Sequence, residues 1–417
     1  MLAWPALVAL HASGCNPSRI SIGGNDFHSG SAAGNTDLVD AGGVGDAGGR
    51  GAASSTGGRT GGGGTSVFAG TGPGGAGNGG AGNGGAGPYC AIPPTLKEAG
   101  DCTQRMIGAT LSAAHLAEAD YANAAREHNF VTPENEMNWD IIEATRDVFD
   151  FRNADQIFSF LVQNDMKVKG HRLVWHGQLP QWVNSLNSAE DVNSAMTSHV
   201  ANVVVHFGEV VAWDVVSEAW TTTSDTGDGS PALRDSVFLR YLGPSYIDQA
   251  FTAARIAAPN ALLFYDDFSI EGMNDKSNSV YEMVSDMKTR GIPIDGVSMQ
   301  MHIGTPNDTP SAAEVAENMQ RIAGLGLKIM IGAMDVNGCD GYTLEQERAL
   351  YHDLVAVCVA QPACTAITMG GISDRYSWLN DSAESGCGSQ APRPLLWDDD
   401  YAKKPAYTGV MEALTGR

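Results

Sequence analysis

Residues 210–218 read Val-Val-Ala-Trp-Asp-Val-Val-Ser-Glu. The run is apolar almost without a break and ends on a hydroxyl and a carboxylate. A strand with one face in water alternates apolar and polar side chains, whereas a strand buried on both faces need not. The stretch therefore predicts a central parallel strand whose C-terminal end carries polar chemistry. Seven further runs share this character: Arg105–Leu111, Phe130–Pro133, Lys167–Trp175, Ala261–Phe268, Gly296–His302, Lys328–Asp335 and Ala366–Ser373. Between them lie segments with apolar residues at helical spacing, among them Ala154–Gln163, Ser245–Ala257, Ser277–Arg290, Ala312–Ala323 and Leu344–Val359. Eight buried strands separated by helices predict an α/β fold, a closed (β/α)8 TIM barrel rather than an open doubly wound sheet. Thr-Pro-Glu-Asn, Trp-His, Ser-Glu, Asp-Asp-Phe and Gln-Met-His each terminate one of the runs, and such barrels build their active sites at those C-terminal ends.

Outward from this core the composition changes. From Ala41 to Gly87 about half of the positions are glycine, with little apolar surface to offset the entropy of ordering. We therefore expect three parts: a signal peptide over residues 1–15, a Gly-rich flexible linker over 16–89, and one barrel domain over 90–417. The leader Met-Leu-Ala-Trp-Pro-Ala-Leu-Val-Ala-Leu-His-Ala-Ser-Gly-Cys15 is too short to span a bilayer. Its Ala-Ser-Gly-Cys ending is similar to a bacterial lipoprotein processing site, although the basic start of a usual leader is missing. The chain is thus expected to be secreted or held at the cell surface, touching a membrane only through a lipid anchor at Cys15.

The formal net charge is −23, which disfavours phosphate backbones and anionic lipid but is compatible with a neutral polymer such as a polysaccharide. No nucleic-acid partner is expected, and a monomer is. Besides Cys15 there are six cysteines, an even set that fits an oxidising compartment. Cys90 with Cys102 and Cys358 with Cys364 are close enough to close small loops, which leaves Cys339 with Cys387. Six buried free thiols are the alternative. Nothing in the cysteine and histidine spacing suggests a metal site, and no cofactor is expected.

Five motifs in order give the chain a specific resemblance. Val131-Thr-Pro-Glu-Asn-Glu-Met-Asn-Trp-Asp140 is similar to the second-strand motif of glycoside hydrolase family 10, the endo-1,4-β-xylanase family. Gly170-His-Arg-Leu-Val-Trp-His-Gly-Gln-Leu-Pro-Gln-Trp182 resembles its third, Trp213-Asp-Val-Val-Ser-Glu218 its fourth and Asp295-Gly-Val-Ser-Met-Gln-Met-His302 its sixth. Pro394-Leu-Leu-Trp-Asp398 with Lys404-Pro-Ala-Tyr407 resembles the approach to its last helix. The likeness covers essentially all of the chain after Pro93. It implies retaining hydrolysis of β-1,4-xylan by two glutamates with carboxyls about 5–5.5 Å apart. Glu218 falls at the acid/base, a role that calls for a raised pKa.

The nucleophile is expected on the seventh strand in a pattern like Ile-Thr-Glu-Met-Asp, and this chain reads Ile331-Gly-Ala-Met-Asp335. Ala333 stands at that position. A methyl group cannot attack the anomeric carbon, and losing a nucleophile costs on the order of 10⁶ in rate, roughly 8 kcal/mol. Other positions depart as well: Ser217 and Asn138 stand where the family has Asn and Lys, and Gly370 replaces a strand-eight tryptophan. Asp266-Asp267-Phe268 replaces Asn-Asp-Tyr. The resemblance assigns Glu134, Asn135, His171, Trp175, His176, Gln178, Ser217, Gln300, His302 and Trp378 to the sugar-binding cleft. Their amides and aromatic faces suit hydroxyl pairing and sugar stacking. Three readings follow: a hydrolase of xylan or a related β-glycan, a xylan-binding pseudoenzyme, and an inverting or altered-substrate glycosidase pairing Glu218 with a base such as Asp266.

Overall fold

Strand β1 (Met106–Leu111) is hydrogen-bonded to β2 (Phe130–Pro133) on one side and to the last strand, β8 (Cys364–Met369), on the other, which closes the sheet. The computed structural model describes residues 95–416, apart from 224, 225, 227, 228, 305, 307, 308, 340, 382–386 and 388–390. The expected leader and linker, with Cys15 and Cys90, lie outside the described residues. Around the ring follow β3 (Lys167–Trp175), β4 (Ala212–Ser217), β5 (Leu262–Asp267), β6 (Gly296–Met299) and β7 (Lys328–Val336), every pairing parallel. A two-residue strand, His302–Ile303, adds to β7 at the mouth. The architecture is the expected (β/α)8 barrel.

The interior is layered because alternate residues of a strand face the same side. Phe130, Ala212, Phe264, Met330 and Ala366 form an apolar floor. Two residues further along the same strands stand Thr132, Asp214, Asp266, Gly332 and Thr368, so the next layer is polar and fully buried. Outside the barrel, the apolar stripes of the helices complete a second core. Val192, Met196, Val200 and Val203 of helix Ala189–His206 supply one such stripe. Trp213 lies so close on β3 that a Cβ at Gly170 would fall 2.2 Å from its ring, which requires glycine there. Reciprocal caps begin helices Ala312–Gly324 (Ser311 with Glu314) and Leu344–Ala360 (Thr343 with Gln346), satisfying the first free N–H groups.

Cys358–Cys364 and Cys339–Cys387 are bridged, with Cα separations of 5.3 and 5.6 Å. The first staples helix Leu344–Ala360 to the start of β8, and the second ties the segments that follow β7 and β8. Cys102 is also disulfide-bonded. Among the described residues no helix is long and apolar enough to cross a membrane.

Candidate active site

The polar ends of the strands are turned into the mouth by residues in the left-handed region. Gln178 (φ 44°), Glu218 (56°), Ser269 (54°) and Met301 (62°) follow β3, β4, β5 and β6 in turn. Non-glycine residues enter this region at a cost and gather at functional sites. Glu218 is fixed there by its own N–H, which donates to the Asp266 carbonyl at 2.8 Å.

Glu218 sits among groups from several strands. The Gln300 amide donates to its Oε1 at 3.1 Å and to Asp266 Oδ2 at 2.8 Å. Ser217 Oγ donates to the same Asp266 oxygen at 3.1 Å. Arg172 of β3 places Nη1 3.5 Å from Glu218 Oε1, and its guanidinium lies 3.5 Å from the centre of the Trp175 ring. Burial alone would raise the Glu218 pKa. Arg172, then His176 and the Gln300 hydrogen bond, outweigh it and hold the carboxyl below its ordinary value. This corrects the raised pKa expected for an acid/base: Glu218 is an ionised carboxylate at neutral pH. The His176 pKa is also driven down, to about 4, chiefly by burial, and the ring is a neutral imidazole at neutral pH.

Below this group lies a charged cluster in which the sequence did not single out Lys169 and Asp214. Lys169 Nζ is 2.6 Å from Asp214 Oδ2, which also accepts from His171 Nδ1 at 2.8 Å. His171, Asp214 and Asp266 come close enough to share a metal ion, but the Lys169 ammonium already faces the Asp214 carboxylate. The signal was present in β3, where Lys169 and Arg172 interrupt a strand buried on both faces; two cations there demand anionic partners inside the barrel.

On the opposite side, β7 brings up Ala333, the one residue from Ile329 to Val336 that is not fully buried. Its N–H donates to the Gln300 carbonyl at 3.1 Å, so Gln300 links Ala333 through its backbone and Glu218 through its side chain. Next to it, Asp335 Oδ2 accepts from His302 Nδ1 and Trp378 Nε1, each at 2.8 Å. Burial pulls the His302 pKa down, but the adjacent Asp335 and more distant Glu271 and Glu218 outweigh it and raise the value. Trp378 remains over a third exposed, with its ring edge-on to His302.

The structure thus brings His171, Trp175, His176, Ser217, Glu218, Gln300, His302, Ala333 and Trp378 to one end of the barrel. Asn135 and Gln178 meet through Asn138, whose amide donates to both, and their side-chain hydrogen bonds stay within this trio among the described residues. Glu134 follows β2, its carboxyl pushed up to about 7 by burial and by the charge of Glu136.

Residues 95–413 match Glycosyl hydrolase family 10. The chain belongs to glycosyl hydrolase family 10. Endo-1,4-beta-xylanase B of Thermotoga neapolitana is 38% identical over 297 residues, spanning 70% of this chain and 82% of the relative. An endo-1,4-beta-xylanase of Agaricus bisporus is 33% identical over 333 residues, 78% and 94% of the two chains. The crystal structure of xylanase 10B from Thermotoga petrophila RKU-1 in complex with xylobiose superposes with a TM-score of 0.71 at 36% identity, covering 78% of this chain and 98% of that one. Against that family background, Ala333, Arg172 and Asp266 are the features that decide what this site can do.

Proposed function

We propose that this family-10 protein binds β-1,4-xylan or a closely related β-glycan at the barrel mouth and has lost the family's retaining hydrolysis. Support for the glycan comes from the family, from relatives named as endo-1,4-β-xylanases and from the neighbour that holds xylobiose. One observation carries the loss of turnover: Ala333 is the residue β7 presents at the mouth, in the position where the family motif has its nucleophile. Asp214, Asp266 and Asp335 are fully buried, and one oxygen of each is bonded, to Lys169, to Ser217 with Gln300, and to His302 with Trp378 respectively.

An inverting reaction between Glu218 and Asp266 is disfavoured by the same network. One Gln300 nitrogen bonds an oxygen of each, so those oxygens are closer than the roughly 6.5–9.5 Å that leaves room for an attacking water. An ionised Glu218 also lacks the proton a leaving group needs. We further propose that the chain is exported as a monomer; its disulfides support an oxidising compartment.

The test is sedimentation with insoluble xylan alongside reducing-sugar release, for the unaltered protein and Glu218→Gln. The expected result is retention on xylan by both, with release on the order of 10⁶ below an intact retaining site. Efficient hydrolysis with retention of configuration would defeat the proposal.

A further inference from the structure

Trp175 lies beside Glu218, and one face of its ring is already covered. The Arg172 guanidinium lies 3.5 Å from the ring centre, well inside the roughly 6 Å of an effective cation–π contact. A pyranose stacking on an indole needs the same space at about the same van der Waals distance of roughly 3.5–4 Å. The two cannot share it. Nor can the indole retreat: a Cβ at Gly177 would lie 2.8 Å from its six-membered ring, so the backbone there already packs against it.

Arg172 is also held from the other side. Its Nη1 faces Glu218 Oε1, and the two side chains are only 11% and 12% exposed, so their charges meet with little water between them. Among the described residues Arg172 Nε has no hydrogen-bond partner. A buried donor without a partner is unfavourable; Trp175 Nε1 is in the same state, but its ring is wedged against Gly177, so Arg172 is the element that can move.

We propose that Arg172 occupies the sugar subsite beside Glu218, standing where a xylose ring would stack on Trp175, and so confines bound glycan to the outer parts of the cleft. This rests on the xylan-binding reading above. It makes Arg172 a specificity-determining residue and gives Ala333 a companion. The chain lacks a nucleophile and, independently, does not hold a sugar at the point of cleavage. Ligands long enough to use the outer cleft bind regardless of Arg172, while short ones compete with it directly.

Calorimetric titration of the full chain with xylotriose and xylohexaose tests this, using the unaltered protein, Arg172→Ala and Arg172→Ser. Xylohexaose should bind all three proteins. Xylotriose affinity should rise about tenfold or more in both variants, the gain exceeding that for xylohexaose. Unchanged or weaker xylotriose binding in a folded variant would overturn the proposal, since Arg172 would then be neutral or a sugar contact. Should both variants fail to fold, crystals of the unaltered protein soaked in xylohexaose decide. Sugar confined to the outer cleft with Arg172 still on Trp175 supports the proposal; a ring seated on Trp175 overturns it. A xylose ring beside Glu218 with Arg172 still on Trp175 refutes it. Xylohexaose binding without a xylotriose gain removes this proposal alone, whereas no binding of either sugar by any protein removes the xylan reading with it.

Discussion

Two sides of one barrel mouth have been treated differently. On the side of β7 and the segment after β8, His302, Asp335 and Trp378 form a closed set in which one carboxylate oxygen accepts from both rings. On the side of β3, β4 and β5, Arg172, Ser217 and Asp266 bind one another's neighbours through Gln300 and Glu218. The first set still presents a histidine and a tryptophan to the cleft; the second turns most of its polar atoms toward one another. The small residues between them have let the walls close in. A Cβ at Gly332 would stand 2.5 Å from Ser298 Oγ, and one at Gly370 would stand 2.6 Å from Asp335 Oδ2. The substitutions are therefore coupled: each is tolerated because its neighbour is small or oppositely charged.

Coupling of this kind predicts that repairing one position does little. Ala333→Glu alone should leave hydrolysis of an activated aryl β-xyloside within about tenfold of background, because Glu218 stays ionised beside Arg172 and the sugar stays off Trp175. Adding Arg172→Thr should raise the rate by about 10², the lower end of what a general acid contributes. Initial-rate assays check the order. A large recovery with Ala333→Glu alone would show that the two sides are independent.

Stability offers a second contrast. Lys169 and Asp214 are about 1% and 0% exposed and pair at 2.6 Å, so Lys169→Ala leaves a buried carboxylate without its cation. Losing one partner of a buried ion pair costs about 3–5 kcal/mol. Trp378→Phe, on the other side, removes a single hydrogen bond from Asp335, which keeps His302, and costs about 1 kcal/mol. Urea unfolding of the two variants measures the difference. Equal losses would mean that the charged layer beneath Glu218 is no more structural than the open rim.

How much of this was legible in the sequence follows from what strand chemistry records. Phe130–Pro133 and Lys167–Trp175 have the expected limits, the first fully buried and the second marked by Val168, Leu173 and Val174 despite its charged residues. The runs Val210–Glu218 and Gly296–His302 extend beyond the strands they mark, Ala212–Ser217 and Gly296–Met299. The backbone leaves the ladder where Glu218 and Met301 turn left-handed, and apolar content does not register that turn. Helix Ala189–His206 was not named; His199 and several hydroxyl residues dilute its stripe. Gln300, His302, Glu218 and Ala333 were placed at the mouth by motif order. The resting place of Arg172 was not readable, since strand spacing gives a face but not the rotamer that lays a guanidinium on Trp175. The lowered pKa of Glu218 was hidden for the same reason.

The two sides should also titrate with opposite sign, and this is the smallest effect expected. His302 holds its proton more tightly folded than unfolded, owing to Asp335 against the opposing pull of burial. Above the unfolded histidine pKa of about 6.5 the folded chain then binds more protons than the unfolded one, so this contribution to stability is full below that pH. It is lost as pH rises through the folded value. Glu218 behaves in reverse: its folded pKa lies below the ordinary carboxylate value, so its contribution is present above about 4.3 and lost as pH falls through the folded value. A single proton bounds each slope at about 1.4 kcal/mol per pH unit. Unfolding free energies between pH 3 and 9 should show His302→Gln flattening only the alkaline arm and Glu218→Gln only the acidic arm. If Glu218→Gln instead steepens nothing below pH 5 and removes a slope above pH 6, its carboxyl carries a raised pKa after all. Arg172 would then not be neutralising it, and the contrast between the two sides would fail at its central residue.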